Sequence, residues 1–489
     1  MKRLSKATVL ILVMSILAAG CSESGAGGKE TEASAPSAVD TPETQPAETE
    51  PAPEPSYLDS LEVKDFGGGT FTIIAQNTAA RQNFYMEEKD GDVMNDGVRA
   101  RDLYTEERLN LSLECIGLDD RAQVARDVQN VIRAGDETYN LIFNALSDGI
   151  NTLTTGGFLA DLTEFPYLQL ESTHWNESMA KNMRFYGKQY FTTGPISLQY
   201  FVTPTVMVYN KRLAEDFGAI GLNDIVLEGK WTVDRLAEIA AAVSSDTDGD
   251  GDMDSDDLWG LSMEGTFGNS LFMAGGLNTI EEADGEYRLT LDSEEAVNLV
   301  DKCAKLFGDR TLFFDSLNGD PINIQIFQEG RALFLDCTVA WVITLRDMED
   351  DFGILPPPKY TEDIPYYYTA CNTWLPSGVG VPMNCSDPDR TGLVMETMAA
   401  VSQELLTPAV YEVTLQGKVS RDEASAAMLD LIYEHTAFDL NTILDFGGSS
   451  ILLRACVLGE QENYVSAYAR IKKVADKNLQ KFVAFARGE

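Results

Sequence analysis

The chain has 489 residues, with 37 Lys and Arg against 78 Asp and Glu and only 2 His, a formal charge of −41 at pH 7. A body this acidic repels polyanions, which argues against nucleic acid as a partner. Hydrophobic residues at 44% and aromatics at 9% supply ample core and exclude global disorder, and the length suits about two to three domains.

The first residues, Met1-Lys2-Arg3 with Lys6, precede an apolar run from Ala7 to Ala19 and then Gly20-Cys21. A basic head, a short apolar segment and a small-residue cleavage site have the layout of a secretion signal over 1–20, too short to span a bilayer. Leu17-Ala18-Ala19-Gly20-Cys21 resembles the bacterial lipobox, with Ala18 where Leu is commonest. The resemblance implies that Cys21 is acylated and becomes the N-terminus. Several acyl chains at one site anchor a protein where one binds only marginally. From Ser22 to Ser56 the chain is Gly, Ser, Thr, Ala, Glu and Pro, so 21–57 reads as a lipidated cysteine and a solvated acidic tether. The six other cysteines, Cys115, Cys303, Cys337, Cys371, Cys385 and Cys456, are scattered without a CxxC pair, and free thiols are the expectation.

In the body, Gly69 to Ala75 is a strand signal ending in Gln76-Asn77. A helix pattern follows over Asn95–Leu109, a strand at Leu111–Cys115, a helix at Arg121–Ala134 and a strand at Tyr139–Phe143. That alternation predicts parallel pairing with right-handed crossovers, and ligands approach such sheets at the carboxyl ends of the strands. Asn77, Ser147 and Asp148 fall there. Thr205–Lys211 is a strand running into a helix, and Val233–Val243 is an amphipathic helix capped by Thr232. The tail from Ala424 to Phe485 is helical in pattern.

The sharpest local motif runs from Asp246 to Asp257. On the twelve-residue calcium loop, Asp246, Asp248 and Asp250 take positions 1, 3 and 5, Gly251 the turn at 6, Asp252 the carbonyl at 7, Asp254 position 9 and Asp257 position 12. Asp replaces the usual Glu at 12, which shortens the last arm. A helix precedes the loop and a strand-like Leu258–Leu261 follows it, so a structural calcium staple is expected.

Six segments stand in order along the chain: Gly157-Phe158-Leu159-Ala160-Asp161-Leu162-Thr163, Gly187-Lys188-Gln189-Tyr190, Val208-Tyr209-Asn210-Lys211-Arg212-Leu213, Gly229-Lys230-Trp231-Thr232, Phe352 to Lys359, and Ser420-Arg421-Asp422-Glu423. Together they are similar to the extracellular solute-binding proteins of ABC importers that take sugars and oligosaccharides. The resemblance implies an α/β, periplasmic-binding-protein-like fold of two lobes joined by a multi-segment hinge. Lobe 1 would comprise 58–198 with 351–405, and lobe 2 would comprise 199–350 with 406–489. Crossings would lie near Ile196–Val202, Asp350–Ile354 and Leu405. It also implies a lipid-anchored monomer on the outer face of the membrane that hands a sugar-like solute to a permease.

Sugars present hydroxyls and apolar C–H faces, so the expected site pairs aromatics with polar side chains. Candidates are Tyr200 and Phe201 beside a crossing, Trp341 after the strand-like Ala332–Asp336, Trp374 in a loop, and Asn77, Ser147, Asp148 and Glu264 at strand ends. Trp231 and Trp259 read as structural. Glu264 and Asp148 leave open a calcium-dependent surface enzyme acting on polysaccharide, and an adhesion lipoprotein is the third class. The sequence carries no GxSxG, HExxH or P-loop, so no catalytic residues are expected.

Overall fold

The computed structural model describes residues 56–76, 85–264, 267–316, 321–410, 422–461 and 463–489. Cys21, Asn77, Ser420, Arg421 and the tether before Ser56 lie outside them. Tyr57–Ser60 forms one helical turn, and the body is described from Leu61 onward.

The strand β1, Gly69–Gln76, is buried along its second half and pairs in parallel with β2, Leu111–Leu118, and β3, Leu141–Ala145. Ile73 faces Cys115 on one side and Leu141 on the other. The crossovers are the helices Val93–Leu109 and Arg121–Arg133. Their starts are set by Asp92, which accepts from Met94 N and Asn95 N, and Asp120, which accepts from Gln123 N. Asn110, in a left-handed conformation, turns the first helix into β2. β12, Pro376–Gly380, closes the sheet as an antiparallel edge on β3, giving the order β12-β3-β1-β2. The strand–helix alternation read from the sequence is the first lobe's architecture.

In the second sheet β5, Trp259–Glu264, runs parallel to β8, Phe313–Ser316, and β9, Ala332–Thr338. β4, Thr205–Asn210, is antiparallel to β9 and to β10, Phe352–Leu355, giving the order β10-β4-β9-β5-β8. Trp231 and Trp259 are buried in its cores, and each indole N–H is satisfied, by Pro356 O at 3.0 Å and Asp254 O at 2.8 Å.

The chain stays with the second sheet longer than the expected boundary at 351. Phe352-Gly353-Ile354-Leu355 pairs with Asn210 to Met207, so this proline-terminated segment is a sheet edge and not a crossing. Among the described residues the chain runs between the sheets side by side at 203–205, 369–372 and 436–437. Asn372 N donates to Thr203 O at 3.0 Å, Thr205 Oγ1 donates to Ala370 O at 3.0 Å, and β11, Thr369–Ala370, pairs in parallel with β13, Thr436–Ala437. Leu405 lies inside the helix Pro388–Val410, which packs on Val93–Leu109.

Two further elements join the cores. The hairpin β6, Ile280–Ala283, and β7, Glu286–Leu289, turns at Asp284-Gly285, both with positive φ. It leaves the second lobe between the helices Phe267–Met273 and Glu294–Phe307, yet Tyr287 stacks on Phe185 of the first lobe with ring centres 3.7 Å apart. The last helix, Tyr464–Arg487, buries Tyr464, Ala467 and Tyr468 in the second lobe's core and Ala475, Leu479, Phe482, Val483 and Ala486 in the first lobe's. The tail expected in lobe 2 therefore spans both.

Candidate functional site

The carboxyl end of β3 organises the polar groups of the first lobe. Leaving Ala145, the chain makes one wide turn in which Asn151 N bonds to Leu146 O. Within it Ser147 is extended (φ −85°, ψ 141°) and Asp148 is left-handed (φ 57°, ψ 3°). Gly149 is required here, because a Cβ would lie 2.5 Å from Asn144 Cγ. Ser147 is buried and already engaged: its N–H donates to Thr373 O at 2.8 Å and its hydroxyl meets Thr373 Oγ1 at 2.7 Å. Asp148 projects outward, its side chain 58% exposed, 3.9 Å from Arg121 Nε.

Arg121 and Trp374 complete this group. Arg121 Nη1 donates to Trp374 O at 3.0 Å, and the guanidinium lies 4.7 Å from the centre of the indole ring. Trp374 is 39% exposed, and its backbone N–H donates to Asn372 Oδ1 at 2.9 Å. Asp445, also left-handed, accepts from Ser450 N at 2.8 Å. Burial and then the charge of nearby Asp148 hold its carboxyl above the ordinary range, against two backbone N–H groups. Of the residues expected from the sequence, the structure brings Ser147, Asp148 and Trp374 together, beside Arg121, Thr373 and Asp445, which the sequence reading did not single out. Arg121 had one usable signal, its place at the start of a helix behind the Asp120 cap.

The other predicted residues lie elsewhere. Tyr200 and Phe201, on the short helix Leu198–Val202, pack in an apolar cluster with Val98, Leu198, Leu406 and Val410. The Tyr200 hydroxyl accepts from Asn176 Nδ2 at 3.1 Å, and burial pushes its phenol up to about 12. Phe201 is buried and its carbonyl accepts from Tyr433 Oη. Trp341 is half-buried in the helix Val339–Val342, against apolar residues of the second lobe. Glu264 ends β5. Its charge contributes to a feature the sequence reading passed over: Asp336 on β9 is fully buried, and burial first, then Glu264 and Asp315, holds its carboxyl well above the ordinary range. The signal was an Asp closing the apolar run Ala332-Leu333-Phe334-Leu335.

The acidic loop sits between the helix Val233–Ala241 and β5, pinned by a bridge between Ser245 and Leu258. Carboxylate oxygens of Asp246, Asp248 and Asp250 come within 4.8 Å of one another on the surface. Asp246 accepts from Gly249 N at 2.6 Å and Gly251 N at 3.0 Å, and both glycines have positive φ. Asp248 accepts from Asp250 N, but desolvation and the charges of Asp250, Asp257 and Asp246 leave its carboxyl above its usual value. Asp257 is buried and held below its usual value by the N–H groups of Asp254 and Thr247. The side chains of Asp252 and Asp254 are not part of the close trio; Asp250 accepts from Asp252 N and Asp254 from Asp256 N. All six described cysteines are free.

Two α/β sheets, with chain passages side by side between them among the described residues and polar residues at the strand ends, define a two-lobed binding protein. Residues 100–404 match the bacterial extracellular solute-binding protein family, and the chain belongs to that family. Its relatives are binding proteins. No curated protein matches the sequence. Among solved structures, the chain is similar to a cyclo/maltodextrin-binding protein complexed with maltotetraose, at 15% identity and TM-score 0.58, covering 84% of this chain and 97% of that one. It is also similar to the galacto-N-biose-/lacto-N-biose I-binding protein of a Bifidobacterium longum ABC transporter, at 12% identity and TM-score 0.54, covering 86% and 99%. A third is a Mycobacterium tuberculosis protein in complex with glycerophosphocholine, at 14% identity and TM-score 0.54, covering 85% and 99%. At these identities the likeness shows the fold. Among the described residues no helix is long and apolar enough to cross a membrane.

Proposed function

We propose that this solute-binding protein captures a carbohydrate between its two sheets, with Trp374 as the aromatic platform and Asp148 as a hydroxyl acceptor, and delivers it to a membrane permease without chemical turnover. The observation that carries the reading is the exposed Trp374 ring at the end of β3, backed by Arg121 and flanked by Asp148. An open aromatic face beside a carboxylate matches the apolar and hydroxyl sides of a pyranose. The fold is shared with structures holding maltotetraose and lacto-N-biose. A ligand touching both lobes stabilises the closed arrangement by its differential affinity, so the passages at Thr203–Thr205, Thr369–Asn372 and Thr436–Ala437 serve as the hinge.

The test is calorimetric titration of the purified protein with maltose, maltotetraose, lacto-N-biose, cycloalternan, D-mannitol and glycerophosphocholine. Binding of at least one glycan, weakened by Trp374→Ala, is expected. Heat from glycerophosphocholine alone would replace the carbohydrate reading, and no glycan binding at millimolar concentration would end it. New reducing ends after incubation with glycans would overturn the absence of turnover.

Two attachments complete the proposal. Cys21 carries the lipid anchor; labelling of cells with a fatty-acid probe should mark the protein and not Cys21→Ala. The loop holds one calcium through Asp246, Asp248, Asp250, Asp254, Asp257 and the Asp252 carbonyl. Calcium needs six to eight oxygens, and three carboxylates already converge there. The ion would supply a structural staple between the helix Val233–Ala241 and β5. Calcium titration of chelator-treated protein should show one site, and none at millimolar calcium would remove it from the proposal.

A further inference from the structure

Arg121 is the first residue of the helix Arg121–Arg133, directly behind the Asp120 cap, so its backbone is fixed at the carboxyl ends of β2 and β3. Its carbonyl accepts from Asn144 Nδ2 at 3.0 Å, and Asn144 is itself buried on β3. From that anchored position the side chain makes three contacts: Nη1 to Trp374 O at 3.0 Å, the guanidinium carbon over the indole at 4.7 Å from its centre, and Nε to Asp148 Oδ2 at 3.9 Å. A guanidinium is planar and donates in a fixed fork, so one group can lie over a ring and bond that residue's carbonyl together. The ring's negative face attracts it.

An indole has two faces, and here one is taken. We propose that Arg121 is a positioning residue for carbohydrate recognition: it covers one face of Trp374 and fixes the ring's angle, leaving only the opposite face for a sugar, while holding Asp148 beside it. This rests on the reading of Trp374 as the platform. The consequence for specificity is that a sugar stacks against a single-sided platform, through one apolar face, and is not clamped between Trp374 and the helix Arg121–Arg133. A lysine keeps the charge but neither the plane nor the fork. A methionine keeps the length and loses all three contacts.

Two readouts test it. The first uses no ligand: acrylamide quenching of tryptophan fluorescence in the full chain. Trp175, Trp231 and Trp259 are buried, and Trp374→Phe identifies the exposed ring's share of the signal. Arg121→Met should raise the quenching constant of that share at least twofold and shift its emission to the red, Arg121→Lys should lie between, and the unfolding midpoint should stay unchanged. Quenching in Arg121→Met equal to wild type overturns the proposal. The second is titration with the glycan that binds tightest in the panel above. Trp374→Ala should weaken binding most, Arg121→Met by about tenfold, and Arg121→Lys by less. If Trp374→Ala binds as wild type, or no glycan binds at all, the platform reading falls and this role with it. If Trp374→Ala weakens binding and Arg121→Met does not, the platform stands and the role of Arg121 is refuted.

Discussion

Arg101 and Asp102 form an ion pair with no solvent exposure on either side chain. Arg101 Nε and Nη2 donate to Asp102 Oδ1 at 2.8 and 2.6 Å, and Nη1 donates to Ile196 O at 2.6 Å, tying the helix Val93–Leu109 to the segment that leads into the first passage. Burial outweighs the Arg101 charge and hydrogen bonds, so the Asp102 carboxyl is raised from 3.8 to about 6. In the wild type this group's stabilising contribution is full below pH 3.8, is lost as the pH rises to about 6, and is flat above. That interval corresponds to about 3 kcal/mol at about 1.4 kcal/mol per unit. Arg101→Met removes the groups that pull the carboxyl down, so in the variant the loss continues past pH 6. Breaking a buried pair typically costs about 3–5 kcal/mol, a large share of the roughly 5–15 kcal/mol that holds a domain together. Urea unfolding of Arg101→Met at pH 5, 6, 7 and 8 should show a deficit that is constant up to about pH 6 and then widens by about 1.4 kcal/mol per unit. A deficit below about 1 kcal/mol at pH 7, or parallel profiles above pH 6, would refute the reasoning.

Asp336 has its carboxyl raised by burial and by Glu264, so it too stabilises the fold at low pH and loses that contribution as the pH rises. Asp336→Asn should therefore gain on the wild type between pH 4 and pH 8 in urea midpoints; a gap independent of pH would contradict the assignment. Gly260 has no room for a side chain, since a Cβ would sit 1.7 Å from Ala240 O, a backbone atom of the helix over β5. Gly260→Ala should cost more than about 3 kcal/mol, measured by thermal unfolding, and a cost under about 1 kcal/mol would mean that helix and strand separate easily. The stacked pair Phe185 and Tyr287 should show a coupling of about 1 kcal/mol in a double-mutant cycle with alanine; additive losses would show that the hairpin is held by its other contacts.

Local pattern was enough wherever a residue's neighbours in space were its neighbours along the chain. Apolar spacing marked the two crossover helices and apolar runs marked β1, β2 and β3, so the first lobe was legible. β10 was not, because Phe352-Gly353-Ile354-Leu355 before three prolines reads equally as an edge strand or a crossing; only pairing with β4 separates them. The hairpin at Asp284-Gly285 carried a recognisable turn signal that was not used. In the site, strand ends exposed Ser147 and Asp148, and a loop exposed Trp374. Arg121 contacts Trp374 across 253 positions, a separation no periodicity encodes. Tyr200 and Phe201 show the converse, for aromatics beside a passage look like platforms until the residues from the helix Pro388–Val410 that cover them are in view.

The hairpin and the last helix change what a change in angle between the sheets requires. The side-by-side passages are not the only links between the lobes. Here Tyr287 lies on Phe185, the Tyr186 hydroxyl donates to Gly285 O at 3.1 Å, and Arg487 reaches Tyr186 Oη at 2.7 Å and Glu286 at 2.9 Å. Tyr186 is held in a left-handed conformation to do so, at φ 49°, which a bulky side chain adopts only at a cost. The hairpin's two ends return to the second lobe through Leu277 and Leu291, while Leu289 is buried in the first lobe's core and Ile280 and Tyr287 pack against it. Among the described residues, rotation between the sheets would also load the short stretches on either side of the hairpin and the middle of the helix Tyr464–Arg487, between Tyr468 and Ala475.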